Sequence, residues 1–88
     1  MPESTDLPVR LGRALRTLRD ARDLSQETLA GDAGISRTYL GEIERGTKCP
    51  SVCIVDALAQ ALGMRAYELL KVADDLDQLL PPSAHRRA

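Results

Sequence analysis

The feature that most constrains the fold of this chain is a very short connection between two short segments with helical periodicity. The segments Gln26 to Ala33 and Arg37 to Arg45 are separated by only three residues, Gly34-Ile35-Ser36. Helices joined by so few residues must cross at a sharp angle. The crossing requires a small residue where the two backbones approach, which Ala30 supplies, and a turn residue comfortable at positive φ, which Gly34 supplies.

Three further segments show the helical period, and no stretch shows convincing strand alternation. They run from about Val9 to Arg22, from Val52 to Leu62, and from about Ala66 to as far as Leu80, where Pro81-Pro82 must end the helix. The sequence therefore predicts an all-α fold, a compact five-helix domain over residues 7–80 with disordered ends at 1–6 and 81–88. Serines at the helix starts predict three N-caps, at Ser25, Ser36 and Ser51.

The close packing of the second and third helices leaves one face of the third helix free. The shared apolar seam would consist of Leu29, Ala33, Ile35, Leu40 and Ile43. The outward face would carry Arg37, Thr38, Gly41, Glu42 and Arg45. This arrangement is a helix-turn-helix, in which the second helix of the pair reads the major groove of DNA.

Composition excludes several other classes of protein. With 88 residues the chain has room for one small core, and its only aromatic residues are two tyrosines, which suits close helix packing. The acidic start argues against a signal peptide, and the lack of a long apolar run argues against a membrane-spanning helix. We therefore expect a cytoplasmic protein. A lone His85 in the predicted tail and the lack of a glycine-rich phosphate loop indicate that it is not an enzyme.

The role of the two cysteines has two possible interpretations. Cys49 and Cys53 flank Pro50, and two thiolates do not complete a tetrahedral zinc site. We favour a bystander role, with a redox switch as the alternative. We expect no metal, no cofactor and no small-molecule ligand.

Charge is unevenly distributed along the chain. Residues 7–48 carry eight Arg or Lys against six acids, whereas residues 49–80 carry two against five. The first half is therefore the better candidate for contact with an anion, although a solvated face would show the same asymmetry.

Longer motifs around the tight turn resemble those of the lambda-repressor/Cro-like (XRE) helix-turn-helix family. The matching stretches are Leu24-Ser25-Gln26-Glu27-Thr28-Leu29-Ala30, Ala33-Gly34-Ile35-Ser36, Tyr39-Leu40-Gly41-Glu42-Ile43-Glu44-Arg45-Gly46, Pro50-Ser51, Leu58-Ala59-Gln60-Ala61-Leu62-Gly63 and Glu68-Leu69-Leu70. They extend over about Leu11 to Leu70, two-thirds of the chain. The chain departs from the family pattern at Asp56, at Arg65 before the fifth helix, and at Gly41 within the third.

The resemblance implies a role for individual positions. Base contacts are implied at Ser36, Arg37, Thr38 and Glu42, with Arg37 as the candidate for bidentate recognition of guanine. Phosphate contacts are implied at Gln26, Tyr39, Arg45, Thr47 and Lys48. Arg19 and Glu44 match a pair that forms a buried salt bridge in many relatives. Glu42 could instead repel wrong registers, and Tyr39 could be a packing residue.

The fifth helix carries an apolar stripe longer than the family core needs. Its members are Leu69, Val72, Ala73, Leu76, Leu79 and Leu80. We predict that the fifth helix and the end of the fourth form a homodimer interface. The alternative is that the stripe closes the core of the monomer, as we expect of Leu69 and Leu70 in any case.

Together these features predict a sequence-specific, double-stranded-DNA-binding transcriptional regulator that acts as a homodimer on a palindromic operator. The small relatives implied by the resemblance include phage-type repressors and restriction–modification controller proteins. The alternative is an antitoxin whose main role is to bind a toxin protein.

Overall fold

The computed structural model describes residues 6–79, with side chains up to residue 76. This part of the chain contains no strand and consists of five helices: α1 Leu7–Ala21, α2 Gln26–Ala33, α3 Arg37–Glu44, α4 Val52–Ala61 and α5 Ala66–Leu79. The predicted all-α, five-helix fold is thus confirmed. The predicted disordered ends lie outside the described residues, apart from Asp6, which precedes α1.

Local sequence signals account for the helix ends. The hydroxyls of Ser25, Ser36 and Ser51 accept hydrogen bonds from the backbone N–H groups three residues later, at 3.0, 3.0 and 3.2 Å. These bonds satisfy donors that a helix start leaves without a partner, and they confirm the three predicted N-caps. Helix α1 begins two residues earlier than predicted, because Pro8 fits the first turn, where its missing N–H is not needed.

The start of α5 uses a different solution. Arg65 precedes the helix and has no short acceptor side chain to cap it. Instead the carboxylate of Glu68, in the first turn, accepts a hydrogen bond from the Arg65 backbone N–H at 2.7 Å. This reciprocal contact, one half of a capping box, compensates for the unusual residue.

All five helices contribute to the core. Its largest fully buried side chains are Leu15, Leu29, Leu40, Ile43, Leu58 and Leu69. Helix α1 packs against both α3 and α5, while α4 packs against α2 and α5. An ion pair between Arg10 and Asp74 also links α1 to α5. Within residues 6–79 no helix has the length and apolarity needed to cross a membrane.

The predicted dimer stripe divides into two groups. Leu69 and Ala73 are 0% exposed, because they pack into the core of the single chain. The inclusion of these two residues in an intersubunit surface was therefore wrong. Val72 and Leu76 are half-buried at the edge of the core, and the side chains of Leu79 and Leu80 lie outside the described part.

Candidate nucleic-acid interface

The turn between α2 and α3 fixes how α3 is presented. Gly34 ends α2 at φ 77°, in the left-handed region that glycine adopts without strain. The next residue, Ile35, returns its N–H to the carbonyl of Ala30 at 2.9 Å. With Leu40 and Ile43 fully buried, the opposite side of α3 faces outward. The predicted helix-turn-helix is present at α2 and α3.

The N-terminal end of α3 is an exposed polar surface. Ser36, Arg37 and Thr38, the residues expected to contact bases, are all exposed. The hydroxyl of Ser36 accepts the bond from the Tyr39 N–H, so its own O–H is available as a donor. Ser36, Arg37 and Thr38 therefore present hydrogen-bond donors on side chains of different length at the N-terminal end of α3.

A charged pair joins α1 to the end of α3. Arg19 Nε donates to Glu44 Oε2 at 2.7 Å and Arg19 Nη2 donates to Glu44 Oε1 at 3.1 Å. The two side chains are only 12% and 4% exposed. The hydrogen bonds to Glu44 raise the pKa of the Arg19 guanidinium above its ordinary value, and this effect outweighs the opposing effect of burial. The ion pair links the end of α3 to α1.

Gln26 extends this pair toward the start of α3. Its Nε2 donates to Glu44 Oε1 at 2.9 Å, and its Oε1 accepts a bond from Arg37 Nη1 at 3.2 Å. Sequence reasoning assigned Gln26 only to a phosphate, because side-chain bonds between helices depend on tertiary placement. One Nε2 hydrogen of Gln26 is not needed for these bonds, so a phosphate contact is compatible with them.

The same residues line a cleft of about 590 Å³ between α1, α2 and α3. Its lining includes four arginines and two glutamates: Arg16, Arg19, Arg37, Arg45, Glu27 and Glu44. The cleft therefore has an excess of positive charge. Arg16, which the sequence did not single out as a contact, lies here because it is one turn before Arg19. The three-residue spacing of the two arginines was an available signal.

The C-terminal part of α3 and the following loop form a second group of predicted contacts. Arg45, Thr47 and Lys48 are exposed, and Glu42 is half-buried. The loop is ordered by Thr47, whose N–H and hydroxyl both donate to the Glu42 carbonyl, at 3.0 and 3.1 Å. Of the predicted phosphate contacts, only Gln26 and Arg45 line the cleft; Thr47 and Lys48 do not.

Two glycines allow this surface to form. A Cβ on Gly41 would lie 3.3 Å from Arg45 Nη1 and 3.8 Å from Gln26 Nε2, so the bare backbone gives these side chains room. A Cβ on Gly12 would lie 2.5 Å from the carbonyl oxygens of Ile43 and Glu44. Gly12 therefore permits the close approach of α1 and α3, a role that the sequence pattern did not indicate.

The remaining predicted chemistry is separate from this surface in the described part of the chain. Cys49 and Cys53 are both exposed free thiols, and residues 6–79 contain no group of three or more potential metal ligands. Tyr39 is half-buried and packs against the core. This position suits the packing role.

Comparisons with known proteins agree with this architecture. A family model described as a helix-turn-helix domain matches residues 10–71. A Neisseria meningitidis serogroup B protein named as a hypothetical transcription factor is 33% identical over 87 residues, covering 99% of this chain and 82% of the relative. Control protein C.BamHI of Bacillus amyloliquefaciens is 37% identical over 60 residues, covering 67% and 74%.

A solved structure supports the same assignment. The restriction-modification controller protein C.AhdI from Aeromonas hydrophila is 45% identical in sequence and superimposes with a TM-score of 0.68. The match covers 70% of this chain and 94% of that one. The chain belongs to the helix-turn-helix family of DNA-binding transcriptional regulators, and not to a family of enzymes.

Proposed function

We propose that this protein is a sequence-specific regulator that binds double-stranded DNA in the cytoplasm as a homodimer, with α3 in the major groove. The observation that carries the proposal is the outward face of α3, whose exposed Ser36, Arg37 and Thr38 adjoin an arginine-rich cleft. A helix end rich in donors fits the major groove, and the positive cleft fits the adjacent phosphates.

Base recognition belongs to the first turn of α3. Arg37 is the residue for a guanine, because a guanidinium donates to both O6 and N7 and discriminates by about 1–3 kcal/mol. Ser36 and Thr38 read its neighbours. Glu42 lies about one turn further along and accepts from a cytosine N4 or repels wrong sequences. Its half-buried position leaves it less reach than the other three residues have.

Phosphate contacts surround this turn. Gln26 acts at the N-terminus of α2, where free backbone N–H groups and the helix dipole favour an anion. Arg45, Thr47 and Lys48 hold the DNA backbone at the other end of α3, and Tyr39 contacts a phosphate beside the first turn. These contacts fix the position of the protein on the duplex and carry no sequence information themselves.

Dimerisation supplies a second recognition helix, which contacts the second half-site of the operator. Val72 and Leu76 form the described part of the apolar edge of α5, and we assign Leu79 and Leu80 to the same interface from the sequence pattern alone. A two-fold axis through this edge repeats the recognition helix, so the half-sites of the operator lie about one helical turn, roughly 34 Å, apart. No small-molecule ligand is part of this proposal.

The test is a selection from a random double-stranded DNA pool at about 150 mM salt, where non-specific binding is weak. We expect enrichment of an inverted repeat with a guanine in each half-site. Replacing Arg37 with Ala in a second selection should relax the requirement at that guanine alone. If no sequence is enriched by the folded protein, the stand-alone regulator is wrong, and the antitoxin alternative with a protein partner takes its place.

A further inference from the structure

The buried charged pair is connected to the base-reading end of α3 through a single side chain. Arg19 contacts Glu44 at 2.7 Å, Glu44 contacts Gln26 at 2.9 Å, and Gln26 contacts Arg37 at 3.2 Å. We propose that Glu44 is a positioning residue for base recognition, which orients the Arg37 guanidinium through Gln26. This inference rests on the proposed function, because it assigns a new role within the same interface.

The carboxylate of Glu44 has a fixed position. Arg19 donates to both of its oxygens, from Nε to Oε2 and from Nη2 to Oε1. A third bond from Arg19 Nη1 to the Leu24 carbonyl, at 2.9 Å, holds the guanidinium itself. Because the Glu44 side chain is only 4% exposed, water does not compete at this site.

Glu44 in turn determines which end of the Gln26 amide faces Arg37. An ionised carboxylate only accepts hydrogen bonds, so the amide must turn its nitrogen to Glu44. Its oxygen then points the other way, toward Arg37, which only donates. With the amide reversed, an NH₂ group would face the guanidinium and an oxygen would face the carboxylate, and both bonds would be lost.

The orientation of the Gln26 amide prepares Arg37 for recognition of a guanine. The bond to Gln26 uses one N–H of Arg37 and leaves four others for a guanine. An arginine that is already oriented loses less side-chain freedom when it binds. Bidentate contact with O6 and N7 also requires the guanidinium plane to match the base edge. Loss of the orientation should therefore affect discrimination at this base more than overall affinity.

The experiment measures a discrimination ratio for the selected operator. This ratio is the Kd for DNA with adenine in place of the guanine facing Arg37, divided by the Kd for the operator itself. We expect Gln26→Met and Glu44→Gln each to lower the ratio by about three- to tenfold. In the double variant we expect no further decrease, because both changes break one linear connection. Arg16→Gln, in the same cleft but outside the connection, should weaken binding to both DNAs equally.

The design separates positioning from a structural role. If Glu44 only stabilises the fold, Glu44→Gln changes both Kd values by the same factor and leaves the ratio unchanged, which overturns the proposal. If Glu44→Gln does not fold, Gln26→Met still tests the proposal, because this variant keeps the bonds between Arg19 and Glu44. An unchanged ratio in Gln26→Met also overturns the proposal.

A measurement without DNA distinguishes this failure from failure of the proposed function. Nitrogen-15 relaxation of the Arg37 Nε reports how strongly its side chain is restrained in the free protein. We expect a restrained Arg37 in the wild type and a mobile one in Gln26→Met and in Glu44→Gln. Equal mobility in all three refutes positioning by Glu44. If Arg37 is restrained in the wild type but the protein selects no DNA sequence, the proposed function as a regulator is refuted instead.

Discussion

At the scale of single residues, the interface depends on a contact between backbones. Gly12 lies on α1 against the last turn of α3, where a Cβ would meet two carbonyl oxygens at 2.5 Å. Arg19 lies two turns further along the same face of α1, and its side chain reaches Glu44 in that last turn. The missing side chain of Gly12 thus lets α3 approach closely, and the ion pair follows from that approach.

This geometry predicts that Gly12→Ala destabilises the protein. Carbonyl oxygens of a packed helix cannot move aside as a flexible side chain can, so we expect a loss of about 2 kcal/mol in the free energy of unfolding. Gly31→Ala is the matched control, since nothing lies within 4 Å of its added Cβ. There the better helix propensity of Ala should stabilise the protein by about 0.5–1 kcal/mol. Urea denaturation followed by circular dichroism measures both, and equal effects would contradict the packing argument.

How much of the site could be predicted depends on the type of interaction. The serine caps and the turn glycine follow from rules that act within a few residues, so the sequence located them correctly. The connection through Gln26 did not emerge, because its partners lie 11 and 18 residues away in the chain. The role of Gly12 was missed for the same reason. A glycine required by another helix looks, in sequence, like any other glycine.

At the scale of elements, α3 is too short to be stable by itself. It has eight residues, and isolated helices below about 12–15 residues are marginal in water. Gly41 in its interior lowers its intrinsic helicity further. The helix is therefore maintained by the burial of Leu40 and Ile43 and by the cap at Ser36. The cap has a structural function and also lies at the predicted DNA contact.

A pair of cap variants separates these two functions of Ser36. We expect Ser36→Ala and Ser51→Ala each to lower stability by about 1 kcal/mol, because each removes one bond to a helix N-terminus. Only Ser36→Ala should in addition weaken binding to the selected operator when both variants are fully folded. Thermal unfolding and fluorescence anisotropy with labelled operator measure the two effects. Equal loss of affinity in both variants would show that Ser36 acts through the fold alone.

The element boundaries show where local rules compete with packing. Four of the five helices start within one residue of the prediction, because a serine cap or a clear apolar period marks them. Helix α1 starts earlier, since Pro8 fits its first turn, where the missing N–H is not needed. The apolar stripe of α5 was read as one surface. Only packing against the other helices distinguishes its buried members, Leu69 and Ala73, from the rest.

At the scale of the whole molecule, charge is separated although the net charge is only −1. Cations concentrate around α1, α3 and the following loop, and α5 carries Glu68, Asp74 and Asp75. Such a distribution favours approach to DNA by one face only, and the acidic helix opposes binding in the reverse orientation.

This separation predicts a specific salt dependence. Each phosphate neutralised releases a counterion, so log K for operator binding falls linearly with log salt concentration. In a homodimer, Lys48→Gln removes two such contacts and should make the slope shallower by about 2. Lys71→Gln is the control, because Lys71 lies on α5, paired with Asp75 at 2.9 Å, and its slope should match the wild type. If Lys48→Gln leaves the slope of log K against log salt concentration unchanged, Lys48 does not contact a phosphate.

The homodimer itself is tested at the half-buried edge of α5. In Leu76→Lys the aliphatic stem keeps much of the packing against the core, while two ammonium groups meet near the two-fold axis. An unpaired charge in an interface costs several kcal/mol, so we expect the dimer dissociation constant to rise at least about a hundredfold. Sedimentation equilibrium measures it, and circular dichroism verifies that the monomer stays helical. Val52→Lys is the control at a different apolar position, 79% exposed at the start of α4, and should leave the dimer intact.

Two results would contradict this prediction. If only Val52→Lys dissociates the dimer, the interface does not lie on α5. If the wild type is monomeric at the concentrations at which it binds the operator, both the homodimer and the two-fold symmetric operator are wrong.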